Sequence, residues 1–126
     1  MPVDTSLPYD SDNIFARILR GELPCAKVYE DAWALAFEDI NPQAPVHVLV
    51  IPKGAYVCWD DFAATASMEE IAGFVRAVGT VARQLGVDAP GYRLLANSGM
   101  DSMQMVPHLH IHLFAGRKMG HLLVKE

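Results

Sequence analysis

The sequence predicts an α+β domain with an antiparallel sheet of about five strands, one long helix and one short helix. Segments with strand-like patterns outnumber those with helical spacing. Most connections between these segments are too short for the crossovers that parallel strands need. Residues 108–114 alternate histidine with aliphatic side chains, which is the period of two expected of a half-buried strand. With 126 residues, the chain is expected to form a single domain over 1–126.

The short helix follows a polar, proline-rich stretch, residues 1–10, which is predicted to be a loose N-terminal tail. Either Ser11 or Asp12 can cap the first turn, and Gly21 is expected to end the helix. Between them lies an apolar stripe with the spacing of one helix face, formed by Ile14, Phe15, Ile18 and Leu19.

Three strands are predicted in the next part of the chain. Residues 27–30 and 33–39 are expected to form a hairpin. Residues 46–51 are nearly all apolar, which is typical of a central strand that is covered on both faces. The loop before that strand, residues 40–45, contains two prolines, which fix φ and remove two backbone donors.

The long helix is predicted to begin at Ser67, which forms a capping-box pattern with Glu70, and to end at Gly86. The stretch before it, residues 54–66, has no clear pattern and is expected to be irregular. The remaining segments are a strand over 92–97, a methionine-rich loop over 98–106, the histidine strand over 108–114 and a C-terminal tail over 117–126.

In a strand, alternate side chains point to opposite faces, so His108, His110 and His112 share one face and the aliphatic residues share the other. Three uses of the imidazole face remain open: nucleophilic or acid–base catalysis, metal binding, and a polar face under solvent. One ion held by all three rings is disfavoured, because a rise of about 3.3 Å per residue separates the outer Cα atoms by roughly 13 Å.

The composition excludes several classes of protein. Hydrophobic residues make up 52% of the chain and charged residues 20%, and the net charge of −5 comes without the basic stripe of nucleic-acid binders. No apolar run approaches the length of a membrane span, and the first residues do not resemble a signal peptide. The two cysteines, Cys25 and Cys58, lack metal or redox spacing. We therefore expect a cytoplasmic protein with neither a nucleic-acid nor a membrane partner.

The pattern His108-x-His110-x-His112 followed by two apolar residues resembles the signature of the histidine triad (HIT) superfamily. Further segments between about residue 13 and about residue 120 are similar, in the same order, to its histidine-triad nucleotide-binding (Hint) branch. They are Ile14-Phe15, Glu22-Leu23-Pro24, residues 36–47, Val50-Ile51-Pro52-Lys53, Gly91-Tyr92-Arg93 and Gly116-Arg117.

This resemblance implies a HIT-like fold whose sheet continues into a second protomer, and hence a homodimer. It also implies a site for a purine nucleotide of the AMP or GMP type, with hydrolysis of phosphorus–nitrogen bonds, as in adenosine phosphoramidates, or of aminoacyl-adenylates. Neither a cofactor nor a metal is implied.

By the same analogy, His110 attacks the α-phosphorus and forms a covalent nucleotidyl-histidine, which water then hydrolyses. The backbone carbonyl of His108 would hold the other ring nitrogen of His110. His112 would lie against the phosphate or the leaving group, while His108 and His47 would form a surrounding set of hydrogen bonds.

The resemblance assigns nucleotide binding to a second group of residues. Asp39 matches the acceptor of the ribose hydroxyls, for which a carboxylate is suited. Asn97 and Gln104 match polar positions near the phosphate, with Met105 beside them. The purine slot matches five apolar positions, which are Phe15, Ile18, Phe37, Ile40 and Leu49.

Four positions depart from the usual pattern of the branch. Ser102 and Met103 stand where two glycines are common. Met105 stands where a small or acidic residue is common, and Pro107 where an aromatic residue is usual. We expect these side chains to reshape the phosphate loop and the leaving-group side of the pocket.

Phosphoramidate hydrolysis is the leading hypothesis. The transferase branches of the superfamily have Gln where this chain has His112, which favours water as the final acceptor. The alternatives are hydrolysis of dinucleoside polyphosphates, a weakly active nucleotide-binding or scaffold dimer, and zinc binding by two of the three histidines. Some relatives have a zinc site that begins with a Cys-x-x-Cys pair, but Asn13 and Ala16 occupy those positions here.

Overall fold

The computed structural model describes residues 1–125, so the last residue of the predicted C-terminal tail, 126, lies outside the described part. The elements are α1 (Ile14–Leu19), β1 (Lys27–Glu30), β2 (Ala34–Glu38), β3 (Val46–Pro52), α2 (Trp59–Thr65), α3 (Met68–Gln84), β4 (Arg93–Leu95) and β5 (Ile111–Ala115). The strands form one antiparallel sheet in the order β1-β2-β3-β5-β4. The predicted α+β class and the five-stranded antiparallel sheet are confirmed.

Helix α3 covers one face of the sheet. Its predicted capping box is present: the Ser67 hydroxyl accepts from the Glu70 N–H, and the Glu70 carboxylate accepts from the Ser67 N–H, each at 3.1 Å. Its apolar stripe, which includes Phe74 and Val81, packs on small and aliphatic strand residues. That layer of the core contains Ala34, Ala36, Val48, Val50, Leu109, Ile111, Leu113 and Ala115.

The opposite face of the sheet is only partly covered by α1. Phe15 of α1 packs there against apolar side chains of β2 and β3, which are Leu35, Phe37, Leu49 and Ile51. The helix is capped by Asn13, whose side-chain oxygen accepts from the N–H groups of Phe15 and Ala16 at 3.0 and 2.9 Å. The predicted caps, Ser11 and Asp12, are therefore wrong. The part of this face that β3 and β5 form carries histidine side chains.

Helix α2 was not expected, since residues 54–66 were predicted to be irregular. Its N-cap, Cys58, makes no side-chain capping bond, and Phe62 is its one buried residue. Phe62 packs edge-on to Phe74 at 5.3 Å between ring centroids and to Tyr56 at 5.1 Å. Tertiary packing of one aromatic ring, rather than a sequence signal, stabilises this helix. None of the helices within residues 1–125 is long and apolar enough to span a membrane.

Three strands are shorter than predicted. Strand β2 covers Ala34–Glu38 rather than 33–39. Strand β4 covers Arg93–Leu95 rather than 92–97. Pairing of β3 with β5 stops at Val50 opposite Ile111, so His108 and His110 precede the paired strand. The backbone N–H of Leu109 instead donates to the carbonyl of Tyr56 at 2.8 Å.

The N-terminal segment, residues 1–10, differs from the loose tail that the sequence predicted. Val3 is buried and packs with Val57 and Cys58, and Tyr9 packs against this cluster. The Val3 N–H also donates to the carbonyl of Gln104 at 2.6 Å. The segment is thus docked on the loop that precedes the histidines.

Candidate active site

Strand register brings histidines from distant parts of the chain together. In the β3–β5 pair, His47 lies opposite Phe114 and Leu49 lies opposite His112. Opposed residues share a face, so His47 and His112 are diagonal neighbours on the face that Phe15 partly covers. Their ring centroids are 5.2 Å apart, and those of His110 and His112 are 5.1 Å apart.

One ring nitrogen of His110 is hydrogen-bonded, and the other is unpaired. Its Nδ1 lies 2.8 Å from the backbone carbonyl of His108, so Nδ1 carries the hydrogen and donates it. This is the contact that the resemblance implied. Burial lowers the pKa of His110, which keeps the ring neutral near pH 7. Within residues 1–125 every side-chain nitrogen or oxygen sealed from solvent has a partner, so the unpaired Nε2 is accessible.

His108 is completely buried and bonded at both ring nitrogens. Its Nε2 donates to the carbonyl of Pro52 at 2.9 Å, which leaves Nδ1 as the acceptor of the Tyr9 hydroxyl at 2.6 Å. Burial lowers the pKa of His108 to about 4. A neutral ring with both nitrogens satisfied avoids the cost of an unpaired polar group in the core.

The proton positions on His47 and His112 follow from one backbone contact. The Gln43 N–H donates to Nδ1 of His47 at 3.1 Å, so the hydrogen of neutral His47 is on Nε2. That Nε2 lies 2.9 Å from Nδ1 of His112 and donates to it. The hydrogen of neutral His112 is therefore on its own Nε2, the nitrogen that has no partner among the described residues.

Burial keeps the rings of His47 and His112 uncharged. It lowers the pKa of His112 to about 4, with the nearby rings of His110 and His47 adding to the shift. For His47, burial lowers the pKa and outweighs the opposing effect of the Asp39 carboxylate, although one Asp39 oxygen is only 3.4 Å from Nε2. Both rings are neutral at pH 7, as the hydrogen-bond pattern requires.

Asp39 lies just after β2, at the edge of the histidine cluster. One carboxylate oxygen accepts from the Asn41 N–H at 2.8 Å, which orients the side chain, and the other is 3.4 Å from His47 Nε2. Only 18% of the side chain is exposed. The second oxygen is oriented towards the site by these contacts.

Within residues 1–125, one group of three or more potential metal ligands has its ligand atoms within 4.8 Å of one another. It consists of Asp39, His47 and His112. The hydrogen bonds oppose this use. A metal on Nε2 of His47 would require the hydrogen on Nδ1, where it would face the Gln43 N–H. The described residues therefore do not fit a metal at this site.

Four of the five apolar positions assigned to the purine slot line or border the face that carries the histidines. Phe15, Phe37 and Leu49 are buried and Ile18 is half-buried in the same cluster. Phe15 packs edge-on to His110 with 5.0 Å between centroids. Ile40, by contrast, is 92% exposed, so its side chain is available to a ligand rather than part of the core.

The residues assigned to the phosphate end differ in their environment. Asn97 is half-buried just after β4, and Met105 is exposed. The Gln104 amide is fully engaged: its oxygen accepts from the Gly99 N–H, and its nitrogen donates to the carbonyls of Val57 and Val106. Both amide hydrogens and the oxygen therefore hold the loop, and the place of Gln104 near the phosphate stays a prediction.

Three contributors to the site were missed by sequence reasoning. Tyr9 was placed in a loose tail, and the backbone groups of Gln43 and Pro52 were placed only in a loop and at a strand end. Backbone groups leave no signal in residue type. For Tyr9 the available signal was the presence of large apolar side chains, among them Val3, Leu7 and Tyr9, in a stretch predicted to be a loose tail.

The chain is similar to known proteins over most of its length. The model of the HIT domain family matches residues 20–119. A HIT-like protein of 13.2 kDa from Azospirillum brasilense is 65% identical over 117 residues, covering 93% of this chain and 96% of the relative. The purine nucleoside phosphoramidase of Escherichia coli is 37% identical over 116 residues, covering 91% and 96%.

The structure is also similar to a solved one. A histidine triad protein from Clostridium difficile has a TM-score of 0.82 and 39% sequence identity, covering 90% of this chain and 98% of that chain. Both the match of the family model and the identity of the relatives extend over most of the chain. The chain therefore belongs to the HIT domain family, which includes hydrolases and nucleotide-binding proteins.

Proposed function

We propose that the protein is a nucleotide-binding hydrolase that cleaves purine nucleoside phosphoramidates or aminoacyl-adenylates through a covalent nucleotidyl-histidine at His110. The observation that supports this most strongly is the state of His110. Its ring is neutral, its Nδ1–H is fixed on the His108 carbonyl, and its Nε2 is unpaired and accessible. An imidazole held in this way presents its lone pair in one direction, as a nucleophile requires.

His112 complements that nucleophile. Its Nε2–H has a position fixed by the chain of bonds from Gln43 through His47, and it lies beside the His110 ring. A donor next to a nucleophile can bind the phosphate oxygen or the leaving nitrogen as negative charge develops there. We assign His112 that role, and His47 the role of fixing the His112 hydrogen.

The proposed reaction has two steps, formation of the nucleotidyl-histidine and its hydrolysis. In the first, the lone pair on His110 Nε2 forms a bond to the α-phosphorus. The bond from the α-phosphorus to the leaving group breaks. In a phosphoramidate its electron pair stays on the amine nitrogen, which takes up a proton from solvent, and in an aminoacyl-adenylate it stays on the carboxylate oxygen of the amino acid. In the second, water attacks the phosphorus and releases a proton. The Nε2–phosphorus bond breaks, its electron pair returns to Nε2, and a nucleoside monophosphate leaves.

The nucleotide is proposed to lie across the face that α1 partly covers. The accessible Asp39 oxygen suits the vicinal hydroxyls of a ribose, and exposed Ile40 suits a purine ring. Phe15, packed on the His110 ring, would fix the distance between base and phosphate. The homologous phosphoramidase supports this choice of substrate class. A reducing, cytoplasmic location is proposed because Cys25 and Cys58 are both unpaired thiols.

Turnover of tryptamine adenosine phosphoramidate tests the proposal. We expect release of tryptamine by the native protein and a loss of at least about a hundredfold in the His110→Ala variant. Rapid acid quenching followed by peptide mass spectrometry should detect adenylylated His110. Native turnover without a trapped adduct, together with an active His110→Ala variant, would exclude covalent catalysis by this residue.

The same assay separates the alternatives. A dinucleoside polyphosphate that is cleaved faster than the phosphoramidate would identify the other hydrolase branch. Binding of AMP by calorimetry without turnover of either substrate would indicate a nucleotide-binding or scaffold dimer. Zinc binding by two of the three histidines would appear as a stoichiometric metal in the purified protein.

We also propose that the protein is a homodimer formed through β4. One edge of β4 pairs with β5, while the other edge is unpaired within residues 1–125. A groove of about 640 Å³ borders that edge, between the strand and α3, and its lining is mostly apolar. Val75 and Leu94, both about half exposed, lie in this groove. An open edge beside an apolar groove is what a second copy of the chain would cover.

Analytical ultracentrifugation tests the dimer. The native protein is expected to sediment with twice the mass of the chain, and Leu94→Asp is expected to shift it towards the monomer, because a charge would be buried at the interface. Lys27→Asp, a charge change on the opposite edge strand β1, provides the control. A monomeric native protein at high micromolar concentration would refute this proposal.

A further inference from the structure

We propose that Tyr9 is a positioning residue for the His110 nucleophile: its hydroxyl fixes the ring of His108, and the backbone carbonyl of His108 in turn orients His110. This inference rests on the proposed function, because it concerns the same histidine. It gives the N-terminal segment, residues 1–10, a part in the site.

The ring of His108 is held by hydrogen bonds at both of its nitrogens. Its ring is 0% exposed and is held at both ends, by the Pro52 carbonyl at 2.9 Å and the Tyr9 hydroxyl at 2.6 Å. Since Nε2 donates to Pro52, Nδ1 can only accept, and within residues 1–125 the Tyr9 hydroxyl is the group that donates to it. Two bonds at opposite sides of a ring leave it one orientation.

The backbone of His108 connects that ring to the nucleophile. The backbone carbonyl of His108 accepts the Nδ1–H of His110 at 2.8 Å. Phe15 packs edge-on to both rings, with centroid distances of 6.5 Å to His108 and 5.0 Å to His110. A shift of residue 108 therefore moves the acceptor that aims Nε2 of His110, and small errors in aim are costly for nucleophilic attack.

Tyr9 is itself held in place. Its ring packs against the cluster of Val3, Val57 and Cys58 and meets the His108 ring edge-on at 5.7 Å. The Val3 N–H donates to the carbonyl of Gln104, which ties the segment to the loop before the histidines. Burial raises the pKa of Tyr9, so the hydroxyl keeps its hydrogen throughout the range in which the enzyme would work.

The test compares Tyr9→Phe with the native protein. Phenylalanine keeps the ring packing but leaves Nδ1 of His108 without its donor, so residue 108 loses one of its two restraints. We expect kcat for the phosphoramidate to fall about tenfold while KM stays within about twofold, because the nucleophile is misaligned but the nucleotide contacts are unchanged.

A spectroscopic readout distinguishes this role from general destabilisation. In ¹⁵N-correlated NMR spectra, Nδ1 of His108 should appear as an unprotonated nitrogen that accepts a strong hydrogen bond. In Tyr9→Phe its resonance should move towards that of a free unprotonated nitrogen, while the protonated Nε2 stays bonded to Pro52. This measurement needs no turnover, so failure of the phosphoramidate assay and failure of this inference are distinguishable.

Two further variants complete the experiment. Tyr29→Phe removes from β1 a hydroxyl that donates to the Asp31 carboxylate. Because β2 and β3 separate β1 from β5, this variant should leave kcat and the His108 resonance unchanged. Val3→Ser loosens the docking of the segment without altering Tyr9, and should reproduce the fall in kcat in part. Native kcat and a native Nδ1 resonance in a folded Tyr9→Phe protein would overturn the inference.

Discussion

At the scale of single residues, proton placement determines what the candidate site can do. His47, His108, His110 and His112 all have a lowered pKa, and in each case burial is the largest cause. A neutral imidazole has one donor and one acceptor, so each bond fixes the direction of the next. The result is a lone pair on His110 beside an N–H on His112, an arrangement that charged rings would destroy.

The first prediction concerns the pH dependence of turnover. Attack requires neutral His110, and its pKa lies below the reference of about 6.5 because the ring is buried. Protonation on acidification removes the lone pair, so the rate should stay constant from pH 8 to about pH 6.5 and decline at lower pH. The measurement is kcat/KM for the phosphoramidate at fixed ionic strength.

Two outcomes would contradict that prediction. A decline with its midpoint at or above about pH 6.5 would show that burial does not lower the pKa of His110. A constant rate well below pH 4, where His108 and His112 with pKa values of about 4 are also charged, would exclude attack by a neutral histidine. AMP binding, measured in parallel, separates loss of the nucleophile from loss of the nucleotide site.

At the scale of elements, the loop over residues 98–106 depends on one buried amide. Gln104 is 1% exposed, and its three hydrogen bonds connect the loop to itself and to the Val57 carbonyl before α2. The sequence resemblance places this side chain near the phosphate. Its environment makes it the interior support of the loop on which the N-terminal segment docks.

The second prediction follows from that support. Gln104→Leu should lower the free energy of unfolding by about 3 kcal/mol, because two buried carbonyls and one N–H lose their partner. Met105→Leu, a substitution at an exposed position of the same loop, should change the free energy of unfolding by less than about 0.5 kcal/mol. Urea denaturation measures both. Equal stabilities combined with a raised KM only in Gln104→Leu would favour the direct phosphate contact instead.

Elements were predictable where local sequence alone determines them. Ser67 and Glu70 cap α3 within one turn, and the alternation at 108–114 correctly places Leu109, Ile111 and Leu113 in the core. Helix α2 was missed because it has neither a side-chain cap nor an apolar stripe. The start of β5 was missed because the alternation indicates which face of the sheet a side chain lies on, but not where backbone pairing with β3 begins. That pairing begins at Ile111, opposite Val50.

At the scale of the whole molecule, the site is assembled from contacts between remote residues. The Tyr9 hydroxyl and His108 are separated by 99 positions, and His47 and His112 by 65. The resemblance could name the histidines, but the tyrosine and the backbone donors depend on packing that no local pattern encodes. Folding and site formation are therefore the same event, since the buried rings are part of the core.

The last prediction tests that coupling through the pH dependence of stability. His108 titrates at about 4 in the folded protein and near 6.5 when unfolded, so below pH 6.5 the unfolded chain takes up a proton that the folded one does not. The free energy of unfolding should thus fall by about 2.5 kcal/mol between pH 7.5 and 4.5 from this ring alone. His108→Gln, which can still donate to Pro52 but cannot titrate, should lack that part of the decline in urea denaturation. Equal declines in the two proteins would show that His108 is not buried in its neutral form, and the bonding proposed for Tyr9 and His110 would lose its basis.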